Sequence, residues 1–244
     1  MKVSIITATF NCESTIGNAL ESIESQSYQE IEHIVIDGKS ADNTVEIVRN
    51  YGRARIISEP DHGIYDALNK GIKLSTGDFV GFLHADDTFA GESVVGDMVE
   101  KLIASGTDGV YGDLVYVRKN GSVLRYWRSG VYSISKLNKG WMPPHPTLFL
   151  RREIYENFGL FDTTFKISSD YEFMLRILLR GITLSYLDYP LVRMQIGGAS
   201  NRSLQNILRK SREDLNAMRK NQIPNASKTL LLKNASKLGQ FFRR

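Results

Sequence analysis

Two carboxylates, Asp86 and Asp87, follow directly on the apolar run from Phe79 to Leu83. A run of this length and composition predicts a buried β-strand that ends at the carboxylates. Carboxylates held at a rigid strand end suit an oxygen-liganded divalent cation, and through it a diphosphate group. The alternative is that one of the two caps the helix that follows. The pair by itself does not decide between these roles.

Polar side chains also follow each of the three strands that precede this one. They are Thr7 and Thr9 after the first strand, Asp37 after the second, and Glu59 and Asp61 after the third. Apolar residues at helical spacing separate the strands, and this alternation predicts an open parallel sheet with helices on both faces. Ligands of such sheets bind beyond the carboxyl ends of the strands. The repeated placement of polar residues at that edge therefore favours a binding site.

The common phosphate-binding loops are absent from the sequence. No Gly-x-Gly-x-x-Gly follows the first strand, and no Gly-Lys-Ser/Thr loop is present, which disfavours a dinucleotide fold and a phosphate-loop nucleotidase. The phosphates of a bound nucleotide would have to be neutralised in another way. A cation at Asp86 is the candidate.

The pattern changes after Asp87, where the sheet is expected to acquire an antiparallel section. Lys119-Asn120-Gly121 between two apolar runs predicts a hairpin, and the proline-rich loop from Trp141 to Pro146 is not expected to be helical. His145 and Trp141 in this loop are either packed residues or acceptor-site groups. Ser168 or Ser169 is expected to cap a helix, which places Asp170 in its first turn.

Composition limits the class of protein. With 244 residues, 42% of them hydrophobic, the chain can bury one large core, or one core with an appendage. The single cysteine, Cys12, excludes an internal disulfide and fits a reducing compartment. Neither a signal peptide nor a run of about 18 apolar residues is present. We therefore expect a cytoplasmic protein.

The C-terminal part of the chain is strongly basic. From Ser200 to Arg244 there are eleven Lys and Arg residues against two acidic ones, although the whole chain carries only +4. This tail is either a solvated helix, an interfacial helix on anionic lipid, or a contact for another protein, and its apolar stripe ending in Phe242 favours the inner face of the plasma membrane. Nucleic acid is not expected as a partner, because no recognition motif accompanies the charge.

Several segments, in this order, resemble family 2 glycosyltransferases with the GT-A fold. The matching segments are Val3 to Asn11, Val35 to Thr44, Glu59 to Gly71, His84-Ala85-Asp86-Asp87, Ser169-Asp170-Tyr171 and Gly197-Gly198-Ala199-Ser200. The resemblance implies an α/β GT-A fold with a mostly parallel central sheet flanked by helices, an added antiparallel section and a helical tail. It implies a nucleotide-sugar-binding half over residues 1–90, an acceptor-binding half over 91–200, and a basic extension over 201–244.

The same resemblance implies roles for individual residues. Residues matching Thr7, Thr9 and Asp37 hold the nucleoside. Glu59 and Asp61 are expected as donor-side residues from their place after the third strand, and Lys70 or Asp66 is expected to replace an Arg that relatives have in the third helix. His84-Ala85-Asp86 matches the family's Asp-x-Asp motif, so that Asp86 would ligate Mg²⁺ or Mn²⁺ bridging the two phosphates, while Asp170 matches the general base. The implied reaction moves a sugar from a nucleotide-diphosphate donor to an acceptor hydroxyl, on a carbohydrate or lipid-linked saccharide, with inversion.

One departure from the family pattern leaves other functions open. His84 stands where relatives have the first Asp of the metal motif, and this motivates a catalytically silent sugar-nucleotide-binding or scaffold protein as the alternative. A nucleotidyltransferase acting on a sugar phosphate is a third hypothesis. It is disfavoured because the glycine- and Lys/Arg-rich loop that it would need after the first strand is absent.

Overall fold

The structure is a computed structural model in which residues 1–196 and 204–238 are described. The glycine segment Gly197 to Ser200 and the C-terminal Phe241 and Phe242 lie outside the described residues. The strands are β1 (Val3–Thr9), β2 (Ile31–Asp37), β3 (Arg55–Ser58), β4 (Phe79–Phe82), β5 (Asp87–Phe89), β6 (Gly109–Val117), β7 (Val123–Trp127), β8 (Phe149–Arg151) and β9 (Leu184–Gln195). The helices are α1 (Ile16–Glu24), α2 (Thr44–Tyr51), α3 (Ile64–Leu74), α4 (Val94–Ser105), α5 (Ile134–Leu137), α6 (Arg152–Phe158), α7 (Ser169–Leu178), α8 (Leu204–Lys220) and α9 (Ala226–Leu238).

The first half of the chain forms the predicted parallel sheet. Its strands lie in the order β3-β2-β1-β4, and each neighbouring pair is parallel. The helices between them bury apolar residues at helical spacing, as α1 does with Ile16, Ala19, Leu20 and Ile23. Each fully buried aliphatic side chain of this size stabilises the fold by about 1.5–3 kcal/mol relative to an exposed one. Burial of these helix faces therefore holds the helices against the sheet.

The second half continues the same sheet with mixed pairing, in the order β8-β6-β9-β5 after β4. β8 is antiparallel to both β4 and β6, and the predicted hairpin forms between β6 and β7. β9 is parallel to β6 and antiparallel to β5. The expected α/β fold, with a parallel half and an added antiparallel section, is confirmed.

Three local expectations differ from the structure. The apolar runs Leu184 to Leu187 and Leu191 to Met194 predict two short strands, but both belong to β9, because a register shift opposite Asp113 accommodates Pro190 within it. The proline-rich loop contains a short 3-10 turn at His145–Thr147, which a proline tolerates at its start because the first N–H groups have no partner there. Asp87 lies in β5, a strand that the sequence pattern did not predict.

A glycine in β4 permits the close contact between the two halves of the sheet. The ring of Phe149 on β8 lies where a Cβ of Gly81 would stand. Any side chain at residue 81 would therefore force the ring or the strand to move. Gly81 thus sets the spacing between the parallel half and the mixed half just below Asp86.

The C-terminal helices pack on the body of the protein through buried polar contacts. Lys233 on α9 forms an ion pair with Asp214 on α8 at 2.9 Å, and both side chains are less than 5% exposed. The Lys233 ammonium also lies 3.1 Å from the centre of the Tyr171 ring on α7. Lys233, one of the basic residues of the tail, is therefore part of the interior. No helix among the described residues combines the length and apolarity needed to cross a bilayer.

Candidate active site

The polar residues that follow β1, β2 and β3 lie side by side at one edge of the sheet. Thr9 pairs with Asp37 across β1 and β2, and Asp37 pairs with Ser58 across β2 and β3. The backbone N–H of Leu83, just past β4, donates to the carbonyl of Ile6. The carboxyl ends of the four parallel strands therefore meet in one row, as predicted from the sequence.

Asp37 is fixed at this edge by serine hydroxyls. Its carboxylate accepts hydrogen bonds from the Ser40 N–H at 3.0 Å, the Ser40 hydroxyl, and the Ser58 hydroxyl at 2.6 Å. The side chain is fully buried. An ionised carboxylate has about four lone-pair sites, so these bonds leave room for one further donor. The predicted contact with a nucleoside stays a prediction.

The two threonines of β1 have different surroundings. The Thr7 hydroxyl lies 3.0 Å from Nε2 of His33, and both side chains are buried. Burial lowers the pKa of His33 to about 4, so the imidazole is neutral at pH 7 and belongs to the core. The Thr9 hydroxyl, also buried, has no hydrogen-bond partner in the described part of the chain. Thr9 is therefore the threonine that has a free hydroxyl for a ligand.

The loop after β3 is held in shape by Lys70 of α3. The Lys70 ammonium lies 2.9 Å from Glu59 Oε1 and donates to the carbonyl of Pro60 at 2.7 Å. Asp61 accepts the Gly63 N–H at 2.9 Å, and a Cβ at Gly38 would stand 2.5 Å from Asp61 Oδ2. The predicted donor-side residues Glu59, Asp61 and Lys70 are thus brought together, next to the loop that follows β2.

Phe10 is a surface residue of this edge to which sequence reasoning gave no role of its own. It follows Thr9 directly, and its side chain is 59% exposed. Its ring would be 3.4 Å from a Cβ at Gly38. The signal in the sequence is an aromatic residue placed immediately after a buried strand, where no core position is available.

The charges of two carboxylates, Asp86 and Asp170, act on His84, although these two residues are far apart from each other in the sequence. Burial lowers the pKa of its imidazole, while the negative charges of Asp86 and Asp170 act to raise it. Its Nδ1 has no hydrogen-bond partner among the described residues. Asp86 is half-buried at the strand end, and Ala85 beside it is buried. The charges of the predicted metal ligand and of the predicted base therefore both act on His84.

Asp87 does not cap the following helix. It is fully buried in β5, and the N-cap position of α4 is Ser93. Burial, followed by the charge of Asp86, raises the pKa of its carboxyl well above the usual range. Neither carboxyl oxygen has a hydrogen bond of normal geometry within residues 1–196 and 204–238. The structure therefore excludes helix capping as the role of Asp87, and support of Asp86 from β5 stays a prediction.

Asp170 lies in the first turn of α7, whose N-cap position is Ser168, as predicted. The Tyr65 hydroxyl on α3 lies 2.7 Å from the Ile167 carbonyl and 3.0 Å from Asp170 Oδ1, and it shares its single proton between these two acceptors. Sequence reasoning missed Tyr65. It could have been found as a tyrosine on an apolar helix face, because a buried tyrosine hydroxyl usually needs a partner.

Both aromatic residues of the proline-rich loop are packed. The His145 ring lies 4.9 Å from the Phe82 ring and 6.0 Å from the His84 ring. Burial lowers the pKa of His145 to about 4, with Asp170 opposing and His84 adding to the effect. Trp141 stacks on Tyr132 at 5.5 Å and donates its indole N–H to the Ser129 carbonyl. Aromatic packing is therefore the observed role of Trp141.

A divalent cation fits this edge only if a ligand supplies part of its coordination. No group of three or more His, Cys, Asp or Glu side chains that could hold a metal occurs among the described residues. Mg²⁺ is commonly bound by one or two carboxylates together with substrate phosphates and water. The half-buried Asp86 fits a site that is completed by phosphates and water, and does not fit a site made of protein ligands alone.

Comparison with known sequences decides the family. The sequence profile "Glycosyl transferase family 2" matches residues 4–180. The chain belongs to glycosyl transferase family 2. Among relatives of this family 2 chain, an uncharacterized glycosyltransferase of Mycobacterium tuberculosis is 37% identical over 182 residues, covering 72% of this chain and 69% of the relative. A PGL/p-HBAD biosynthesis glycosyltransferase of Mycobacterium bovis is 28% identical over 210 residues, covering 81% and 78%.

Solved structures similar to this family 2 chain have the GT-A fold. Residues 1–349 of S. aureus TarS in complex with UDP superpose with a TM-score of 0.69 at 21% identity, covering 96% of this chain and 71% of that one. A mannosyltransferase from Pyrobaculum calidifontis in complex with GDP-Man and Mn²⁺ gives 0.69 at 20% identity, covering 99% and 73%. The chain spans only 39% of a longer TarS structure.

Proposed function

We propose that this protein is an inverting glycosyltransferase that moves a sugar from a nucleotide-diphosphate donor to an acceptor hydroxyl. The observation that carries the proposal is the hydrogen bond from Tyr65 to Asp170 Oδ1 at 3.0 Å, because Tyr65 lies on α3, the helix that follows the loop of Glu59 and Asp61 at the donor edge. This bond links the segment that carries Asp170 to the strand edge at which Asp86 lies. Direct displacement needs groups on both sides of the reacting carbon, a base on one and charge neutralisation on the other.

The donor's nucleoside is proposed to lie over the ends of β1 and β2. Thr9 offers its free hydroxyl, Asp37 offers its remaining lone-pair site, and the exposed ring of Phe10 offers a face on which a base can stack. The loop that contains Glu59 and Asp61, held by Lys70, borders the same space. The Thr7 hydroxyl is bonded to His33 in the core, so Thr7 is proposed to support this edge from beneath the donor.

Asp86 would hold a Mg²⁺ or Mn²⁺ ion against the diphosphate. When bound, such an ion neutralises charge that develops on the leaving diphosphate. The half-exposed Asp86 contributes one carboxylate, and the buried Asp87 beside it lies behind the site in β5. His84 is proposed to contact the donor or a water molecule through its unpaired Nδ1.

Asp170 is proposed to act as the general base on the acceptor side. It accepts the proton of the acceptor hydroxyl while that oxygen forms its bond to the anomeric carbon and the bond to the diphosphate breaks on the opposite face. The configuration at that carbon is therefore inverted. Tyr65 orients the carboxylate by its hydrogen bond to Oδ1, which leaves Oδ2 to receive the proton. A positioned base contributes roughly 10²–10⁴-fold.

The acceptor is proposed to be a carbohydrate or lipid-linked saccharide of glycoconjugate or cell-surface polysaccharide biosynthesis. A relative is named for PGL/p-HBAD biosynthesis, and the basic tail suits an anionic lipid surface at the cytoplasmic face. Leu208 on α8 and Leu231 on α9 are more than 70% exposed among basic neighbours, which supports peripheral contact. The division into a donor half, an acceptor half and a basic extension from residue 201 belongs to this proposal.

A panel of nucleotide sugars tests the function. Each donor is added with and without Mn²⁺, and thermal unfolding and slow donor hydrolysis are recorded. We expect one donor class to raise the melting temperature in the presence of Mn²⁺ and to be hydrolysed. A panel that changes neither property contradicts the proposal. A donor that binds without hydrolysis or transfer would instead favour the catalytically silent binding protein, for which His84 in the metal motif is the supporting observation.

A further inference from the structure

Helix α8 holds the turn that carries Asp170. The Glu213 carboxylate on α8 accepts the backbone N–H of Ile167 at 2.7 Å and that of Ser168 at 3.1 Å. Its side chain is only 13% exposed. These residues immediately precede α7, whereas Glu213 lies beyond the residues 4–180 that match the family profile. A contact from outside the matched region therefore reaches the start of the base-bearing helix.

The contact supplies a group that α7 itself lacks. In a capping box, an acidic or amide side chain at the third helical position accepts the N–H of the N-cap residue. In α7 the N-cap position is Ser168 and the third helical position is Tyr171, and a tyrosine has no carboxylate or amide to offer. Ser168 also makes no side-chain cap of its own. Glu213 provides the missing acceptor from another helix.

The Ile167 peptide is held from two sides. Glu213 binds the N–H of Ile167, and the Tyr65 hydroxyl of α3 shares its proton between the carbonyl of Ile167 and Asp170 Oδ1. We propose that Glu213 is a positioning residue, which fixes the turn before α7 and so aims Asp170 at the acceptor hydroxyl. This inference rests on the proposed function of Asp170 as the base.

Contacts on the C-terminal side of Glu213 keep α8 in place. The next residue, Asp214, is paired with the buried Lys233. Two turns further along, Lys220 lies 2.7 Å from Asp162 and 3.1 Å from the buried Glu172 of α7. Because α8 is tied to α9 at Asp214 and to α7 at Lys220, Glu213 reaches the turn from a fixed helix. Its other partner, Arg209, is 55% exposed, and an exposed pair of this kind contributes little.

The test compares Glu213→Ala with Glu213→Gln in donor turnover. Glu213→Ala removes the acceptor of two N–H groups, so we expect kcat to fall roughly tenfold or more while the donor KM changes less than about twofold. Glu213→Gln keeps an oxygen acceptor and should recover most of kcat. Glu156→Ala and Glu156→Gln on α6 serve as matched controls, because Glu156 also forms an exposed i,i+4 pair with an arginine.

If Glu213→Ala does not fold, Glu213→Asp takes its place. Its shorter side chain cannot reach both N–H groups, so kcat should fall below that of Glu213→Gln. Three outcomes would overturn the inference. They are an unchanged kcat in Glu213→Ala or Glu213→Asp, an equal loss of kcat in the Gln and Ala variants, and a rise in KM that accounts for the loss of activity. Amide hydrogen exchange at Ile167 and Ser168 should rise in the truncated variant alone, and unchanged exchange would also refute it.

Amide hydrogen exchange at Ile167 and Ser168 separates a failure of this inference from a failure of the proposed function. A wild-type protein that turns over no donor contradicts the proposed function and, with it, the catalytic purpose assigned to Glu213. Exchange at the two amides then still decides whether Glu213 holds the turn. Wild-type turnover with exchange and kcat unaffected by Glu213→Ala contradicts only the inference.

Discussion

The Tyr65 hydroxyl donates a hydrogen bond to Asp170 Oδ1 at 3.0 Å, although the two residues are 105 positions apart in the chain. Tyr65 lies in the first turn of α3, the helix that follows the loop of Glu59 and Asp61, and Asp170 lies in the first turn of α7. On the same helix, Asn69 exchanges two hydrogen bonds with the backbone of Phe161. Helix α3 therefore joins the donor edge to the segment that carries the base.

Replacement of Tyr65 by Phe should slow transfer without weakening donor binding. The change removes only the hydroxyl that orients Asp170, and a hydrogen bond to a charged group is worth about 1.5–3 kcal/mol. We expect kcat to fall roughly ten- to a hundredfold, with nucleotide affinity by calorimetry unchanged.

Tyr51→Phe is the matched control for this variant. The pKa of the Tyr51 hydroxyl is raised by burial and by the nearby carboxylate of Glu24, but Tyr51 lies at the end of α2, away from the carboxyl edge of the sheet. The kcat of Tyr51→Phe should equal that of the wild type. Full activity in Tyr65→Phe would show that Asp170 is oriented without this bond.

Replacement of Asp86 by Ala should abolish the part of nucleotide binding that depends on Mn²⁺. The only carboxylate proposed to hold the ion is lost, while the contacts at Thr9 and Asp37 remain. Calorimetric titration of UDP and GDP, with and without Mn²⁺, measures both parts. We expect the affinity in the absence of metal to be unchanged.

Asp78→Ala provides the control, because Asp78 precedes the same strand at its opposite end. Its carboxylate accepts the Lys2 N–H at 2.9 Å, and the Mn²⁺ effect should be that of the wild type. An Asp86→Ala protein that retains the full enhancement by Mn²⁺ would exclude Asp86 as the metal ligand.

Replacement of Glu32 by Gln should destabilise the fold in a pH-dependent way. Although burial raises the pKa of Glu32, hydrogen bonds from Ser4 and Thr76 and the Lys2 ammonium outweigh it and lower the pKa to about 2. Because the folded pKa lies below the unfolded value, this carboxylate stabilises the fold above pH ~4.5, and the contribution is lost as pH falls towards 2. At pH 7 the variant should be less stable, by on the order of 2–3 kcal/mol.

Urea unfolding of both proteins at pH 7, 5 and 3 measures this difference. The gap between wild type and Glu32→Gln should be largest at pH 7 and smallest at pH 3. A gap that is constant over this range would mean that the ionised carboxylate of Glu32 does not contribute to stability.

Replacement of Lys233 by Met should destabilise the protein by roughly 3–5 kcal/mol, because Asp214 is left as a buried charge without its ammonium partner. The double variant Lys233→Met with Asp214→Leu removes both charges and should be more stable than Lys233→Met alone. Urea unfolding at pH 7 measures both. If the double variant is the less stable of the two, the ion pair is not what fixes α9.

The parallel half of the fold could be predicted from the sequence because its signals are local. Apolar strands end in polar residues, and the spacing of Ala67, Leu68 and Ile72 marks α3, whose observed limits are those predicted. The row of polar strand ends followed from topology alone. Asp170 at the start of α7 followed from the serines before it.

The remainder of the site depends on contacts between distant parts of the chain. Nothing near Asp87 in the sequence shows that it pairs with β9, because β5 is too short to have a periodicity of its own. Lys233 and Glu213 are on basic, polar helices, and charge patterning predicts solvated faces for both. Their burial depends on Asp214 and on the backbone of Ile167, which only the packed structure brings together.

The most direct measurement is an NMR time course of donor hydrolysis by the wild type and by Asp170→Asn. Asparagine keeps an oxygen that can accept the Tyr65 hydroxyl but cannot take up the proton. The wild type should release the sugar first as the inverted anomer, and Asp170→Asn should be slower by roughly 10²–10⁴-fold with donor affinity unchanged. Release of the retained anomer, or an undiminished rate in Asp170→Asn, would contradict inverting transfer with Asp170 as the base.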